Sequence, residues 1–326
     1  MAHESGHPAR VTGTARTLAF VALLLGSLAT MLNTSVVNVA LPRIASELKA
    51  DGVQIDLIAD GDSIAQTALV LLFGAIGDKF GRKKMFVGGS LLLAVFSLFC
   101  ARSGSADELV IWRIAVGAAS AMLFPTTLSM TTGLYPEREE RAKAVAVWTG
   151  VAAVGAAIAP ILSGWLQNTF DWPAIFLVSV PIALTAALVA WRLLPEQREA
   201  GMPGIDWLGG FFAACMLSGL LLATILTPME GVNGLTLAVL GLGLFGVAGF
   251  ILWERRAAHP LIDLSAFRER TFSGGAVVIL LLFLAMSGTM YLAAQFTQNV
   301  LGYSAMQAGF AQLPVTLGVI AMTPLN

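Results

Sequence analysis

Seven stretches of this sequence, residues 17–42, 85–101, 114–136, 144–170, 172–191, 207–229 and 231–253, contain no Asp, Glu, Lys or Arg. Each approaches or exceeds the roughly 20 apolar residues with which an α-helix crosses the hydrocarbon core of a bilayer. A helix satisfies its own backbone hydrogen bonds where water is absent, so such runs fold as spans. Residues 271–326 are also uncharged and long enough for two spans, with a turn at "NVLGYSAMQAG". Residues 55–77 supply one more, interrupted early by Asp60 and Asp62. The expectation is an all-α polytopic membrane protein with about ten spans. The first run is longer than the apolar core of a signal peptide, about 7–15 residues, and no cleavage site follows it. With 12% charged residues, the chain also falls well below the roughly 25% of a soluble domain.

Basic residues mark the cytoplasmic loops of such proteins. With the N-terminus inside, the inner segments hold 15 of the 19 Lys and Arg residues, the outer loops hold three (Arg43, Lys49 and Arg102), and Arg113 lies within a span. This bias places both termini in the cytoplasm. Nothing in the charge pattern points to nucleic acid. Cys100 and Cys215 sit singly in different spans, as small buried side chains do, and the three His lie in the tail or a loop. There is no phosphate-cradling G-x-x-x-x-G-K-[ST] loop, no metal-ligand spacing and no nucleophile–base set, so no cofactor, no metal and no enzymatic activity is expected.

Three further features carry chemistry. In "GAIGDKFGRKKMF", residues 74–86, Gly74, Gly77 and Gly81 allow a tight turn, Asp78 can pair with Arg82, and three adjacent cations hold the loop inside. "LVIWRIAVGAASA" places Arg113 in an otherwise apolar fourth span, and "GAAIAPILSGWL" combines small residues at 155, 159 and 163 with Pro160 and Gly164 in the fifth. In their order and spacing these resemble the motifs of the major facilitator superfamily: its signature loop (Gly74, Asp78, Gly81, Arg82), its fourth-span arginine (Arg113) and its antiporter motif (Gly155, Pro160, Gly164). Ile76 and Lys79 depart from the usual Leu and Arg of the loop, Val116 and Ala119 from a usual Gln and Gly, and Ala159 and Ser163 from usual glycines. "VNVALP" and "PLIDLSAFRERTF" resemble the fourteen-helix drug/proton antiporter branch.

That resemblance implies a secondary transporter that expels amphipathic small molecules, cationic or aromatic, as protons enter. Relatives read L-D-x-T-V-V-N-V-A-L-P in the first span, so Asn33 stands where a carboxylate is expected; an amide hydrogen-bonds but does not change charge. It serves either as interhelical glue or as a neutral member of a site whose proton is carried elsewhere. At about 1.5 Å per helical residue, Asn33 lies roughly 24 Å and Asp60 about 27 Å from the inner edges of their spans, and Arg113 falls at a similar level. Asn33, Asp60, Asp62 and Arg113 therefore form the expected proton-coupling layer. Asp60 and Asp62 point about 200° apart around their helix, so only one of them can face a given cavity. The stripe of Asp60, Ser63, Thr67, Gly74 and Asp78 looks more like a cavity wall, which assigns the partnership with Arg113 to Asp60 and leaves Asp62 either as a second coupling residue or as a charge that snorkels outward.

The expected organisation is a six-helix bundle over residues 1–200, two linking transmembrane helices over 201–260 and two helices of an incomplete second bundle over 261–326. A fourteen-helix transporter would continue beyond "MTPLN", so the chain reads as C-terminally truncated. The alternative expectation is a membrane protein that no longer transports and survives as a remnant or as a partner of another membrane chain. The bilayer, the proton and a small-molecule substrate are the expected partners; the oligomeric state is left open.

Overall fold

The computed structural model describes residues 13–198, 204–262, 264–303, 307 and 311. Within them the chain forms ten α-helices: α1 (Gly13–Leu48), α2 (Gly52–Phe80), α3 (Arg82–Cys100), α4 (Ala106–Leu134), α5 (Arg138–Thr169), α6 (Ala174–Leu177), α7 (Ser179–Leu193), α8 (Trp207–Glu230), α9 (Gly234–Glu254) and α10 (Arg270–Gln295). The short α6 and α7 together make one span, Ala174–Leu193, so nine membrane-crossing segments lie among the described residues. The tenth expected span falls outside the described residues.

Local chemistry sets the helix starts. Asp51 and Gln54 form a reciprocal capping box at α2, the Ser105 hydroxyl accepts from the Glu108 amide at α4, and Asn233 and Thr236 form a second box at α9. Each side chain satisfies a backbone donor that the first helical turn leaves without a partner. The connector after α9 carries a short 3-10 helix, Leu264–Arg268, where the sequence leaves room for an interfacial helix.

Helices α1 to α7 pack around one core, in which α1 touches α5 and α7, α2 touches α4, and α3 touches α4 and α7. Small residues set the closest approaches. Gly117 of α4 lies so near α2 that a Cβ there would run into the backbone carbonyl of Asp62. The stripe of Gly155, Ala159 and Ser163 on α5 packs against α1: a Cβ on Gly155 would lie 2.9 Å from Leu28, and the Ser163 hydroxyl donates to the Val36 carbonyl at 2.6 Å. No atom comes within 4 Å of a Cβ built on Gly164, which therefore faces open space. Helices α8 and α9 form a glycine-faced hairpin in which Gly219, Gly243 and Gly246 abut the opposite backbone, and α8 lies against α2. Burial in the window of α10 that could cross a membrane is 0%, so its surface is left for lipid or for further protein.

Candidate functional site

Five hydrogen bonds surround the guanidinium of Arg113, which is fully buried. Nε donates to the Ile58 carbonyl at 2.7 Å, and Nη2 to the Ala59 carbonyl at 3.1 Å and to Asp62 Oδ1 at 2.7 Å. Nη1 donates to the Asn33 carbonyl at 3.2 Å and to Asn33 Oδ1 at 3.3 Å. A guanidinium has five N–H donors, so this cage matches its full capacity. Asp62 is 1% exposed and its Oδ2 accepts from the Thr34 hydroxyl at 2.7 Å. A positive and a negative charge thus meet inside the bundle with hydrogen bonds on all sides, the condition under which a buried pair is tolerated.

Asn33 closes the other side of the arginine. Its Nδ2 donates to Ser97 Oγ at 2.7 Å and Ser179 Oγ at 2.8 Å, and the two hydroxyls lie 3.1 Å apart. The amide therefore joins α1 to α3 and α7 through its donors and to α4 through its acceptor. This is interhelical glue and also a seat against Arg113. Ser97, Ser179 and Thr34 were not singled out in the sequence. Their signal there is a lone hydroxyl in an uncharged run, which is shared by many residues that bond only to their own helix.

The structure corrects the assignment of Asp60 to Arg113. Asp62 meets the arginine, and Asp60 is exposed on the opposite side of α2. The reason is steric. Ile58, Gly61, Asp62, Ala65 and Ala68 lie on the buried face of α2, spaced three and four residues apart, and the small Gly61 and Ala65 let α4 approach at Gly117. The polar stripe through Asp60, Ser63 and Thr67 faces away from that contact. Asp62 does not snorkel outward. The run Gly61, Ala65, Ala68 was the sequence signal for the contact face.

At the other end of α2, Asp78 Oδ1 accepts from Arg82 Nε at 2.7 Å, as the four-residue spacing predicts. Gly81 joins α2 to α3 at φ +120°, a region that side chains disfavour. The segment after α7 docks on this turn: the Gln197 carbonyl accepts from the Arg82 amide at 2.8 Å, and Glu196 Oε1 accepts from the Lys83 amide at 3.1 Å. Glu196 thereby supplies the cap that Gly81 lacks, at a helix N-terminus that favours a carboxylate. A Cβ on Gly81 would strike the Glu196 carboxylate. Gly81→Ala is therefore expected to cost about 1–3 kcal/mol, of which Glu196→Ala returns only the steric part because the backbone strain remains. Thermal unfolding of the two single variants and the double variant measures both shares. Gly74 and Asp78 line a cavity of about 360 Å³ that Pro125, Asp206 and His259 complete.

The profile of the Major Facilitator Superfamily matches residues 23–326. The chain belongs to that superfamily. Among solved structures, the proton:xylose symporter XylE bound to 6-bromo-6-deoxy-D-glucose superposes with a TM-score of 0.61 at 16% identity, over 96% of this chain and 68% of the symporter, a likeness of fold. Its curated relatives include the multidrug efflux pump LfrA of Mycolicibacterium smegmatis, 30% identical over 93% of this chain and 60% of the pump. The tetracenomycin C resistance and export protein of Streptomyces glaucescens is 30% identical over 94% of this chain and 57% of its own length. The multidrug export protein EmrB of Haemophilus influenzae is 29% identical over 97% of this chain and 62% of its own length. The chain thus spans about three fifths of the length of these relatives. A multi-pass membrane protein of a transporter superfamily follows from the nine spans and the family match.

Proposed function

We propose that this protein takes part in proton-coupled efflux of amphipathic small molecules across the cytoplasmic membrane, with the Asp62–Arg113 pair as the proton-coupling element. The observation that carries this reading is a buried ion pair, 2.7 Å long, with Asn33 as its neutral neighbour. Protonating Asp62 in place would leave Arg113 buried without a counter-charge, which is strongly unfavourable. Proton uptake therefore requires the helices around the pair to move, and a movement that separates the pair changes the affinity for the proton in return. This is the linkage that a coupled transporter needs. The names of the similar pumps and export proteins support drugs as the substrate class.

In this reading residues 1–200 act as one bundle, 201–260 as linking helices and 261–326 as part of a second bundle, and transport proceeds as the bundles rock. The turn of Gly74, Asp78, Gly81 and Arg82 and the α1–α5 seam at Gly155, on the helix that also carries Pro160 and Gly164, would bound the moving parts. Asp60 keeps an exposed position on the same helix, outside the pair.

Inverted vesicles from cells producing the protein test the function. An acid interior should drive accumulation of an amphipathic cationic dye, a protonophore should abolish it, and Asp62→Asn should remove the pH-driven component while Asp60→Asn retains it. Dye uptake indifferent to the gradient would refute proton coupling, and loss in Asp60→Asn alone would return the role to that residue. The same proposal puts both termini in the cytoplasm, which the 15 inner cations support. In a cysteine-free background, Thr14→Cys should resist an impermeant maleimide applied to intact cells and Arg102→Cys should react. The reverse pattern would invert the topology.

A further inference from the structure

Glu254 is a buried carboxylate that the coupling element does not use. It is the last residue of α9, 5% exposed, and its Oε2 is buried with no hydrogen-bond partner, while Oε1 accepts from the Leu261 amide at 3.2 Å. A second carboxylate stands beside it. Asp206 caps α8, accepting from the Gly209 amide at 2.7 Å and from the Trp253 indole N–H at 2.8 Å and 2.9 Å on its two oxygens. The two acids converge on the gap above Gly209: a Cβ built there would lie 2.6 Å from Asp206 Oδ2 and 2.9 Å from Glu254 Oε1.

No Lys or Arg among the described residues forms an ion pair with either acid. Arg255 and Arg256 follow Glu254 in sequence but are exposed, and α8 contributes no charged group to the contact beyond its cap. Across the neighbouring cavity stand Asp78, already paired with Arg82, and His259, whose side chain is exposed; Lys79 lies over the Phe80 ring. Asp206 is half-buried and Glu254 almost wholly buried, and with no cation paired to either a second negative charge is disfavoured there.

We propose that Asp206 and Glu254 form a proton-binding site at the base of the α8–α9 hairpin, in which Glu254 holds the proton as a neutral acid. The environments divide the roles. Asp206 sits at a helix N-terminus and accepts from two N–H groups, those of Gly209 and the Trp253 indole; Glu254 sits at the carbonyl end of its helix, which disfavours a negative charge. A proton on Oε2 neutralises the one Glu254 oxygen that accepts no hydrogen bond. One proton is taken from solution and no other bond changes. Its loss places two negative charges around Gly209 and loosens residues 255–262, which lead to α10. This site is independent of the coupling proposed at Asp62, and its test involves no transport.

Infrared spectroscopy of the purified full chain in detergent decides the matter. A protonated-carboxyl C=O absorption is expected at neutral pH; it should vanish in Glu254→Gln, persist in Asp62→Asn and disappear as pH rises. Asp206→Asn keeps the helix cap but removes the neighbouring charge, so the loss of the absorption should move to lower pH. A proton bound in the folded but not the unfolded chain makes stability fall as pH rises. The melting midpoint of the wild type should therefore drop, relative to that of Glu254→Gln, as pH rises from the ordinary carboxylate range through the point at which the absorption disappears. An absorption missing from the wild type, or one that survives in Glu254→Gln, would overturn the proposal, as would identical pH dependence of the two midpoints.

Discussion

Asp62→Ala is expected to destabilise the chain by about 3–5 kcal/mol, because it strands a buried arginine. Arg113 would keep its three carbonyl acceptors and Asn33 Oδ1 but lose its one anionic partner, and Thr34 would lose its acceptor. Asp60→Ala, on the exposed side of the same helix, should leave the midpoint nearly unchanged. The comparison is sharp because the two substitutions are chemically identical and two residues apart. Thermal unfolding in detergent measures it, and equal midpoints for the two alanine variants would show that the pair contributes nothing. Asp62→Leu combined with Arg113→Met should recover most of the stability, since an apolar replacement of a buried pair removes the desolvation penalty together with the attraction. The same double variant should have no pH-driven transport. That outcome separates a pair retained for coupling from one retained for packing.

The second large effect concerns the two seats around the arginine. Nη1 faces position 33 and Nη2 faces position 62, so a single counter-charge can occupy either. In the exchange variant Asn33→Asp/Asp62→Asn, the carboxylate moves to the Nη1 side. Ser97 and Ser179, which now accept from the Asn33 amide, would turn to donate to it, and an amide at 62 still accepts from Arg113 while donating to the Thr34 hydroxyl. The double variant should therefore be more stable than the sum of its single changes, by a coupling on the order of 1–3 kcal/mol. Asn33→Asp alone puts two carboxylates on one guanidinium, where like-charge repulsion favours retention of one proton. Its transport should show a pH profile displaced from that of the wild type. Strict additivity in the unfolding cycle would mean that position 33 does not sense the charge at 62.

The spans were legible because their cause is local. A run of about 20 residues without a charge has few stable places other than a bilayer, and this can be judged residue by residue. The turn at 78–82 was legible for a similar reason, since Asp78 and Arg82 are four residues apart on one chain. Glu196 was not: its partner, the Lys83 amide, lies 113 residues away, and no periodicity announces a helix cap delivered from a distant segment. Glu254 and Asp206 were likewise invisible as a pair, because the α8–α9 hairpin alone brings them together.

By itself the sequence determined that the chain is helical and membrane-spanning, that Arg113 lies at the level of Asn33 and the two aspartates, and which motifs place it in its superfamily. These follow from transfer energies and from spacing along one helix. Only the tertiary structure decided which aspartate meets the arginine. Two residues of separation turn a side chain through about 200°, so the answer rests on which face of α2 packs against α4. That in turn rests on how closely two backbones can approach at Gly61, Ala65 and Gly117, a property of helix pairs that no single helix carries.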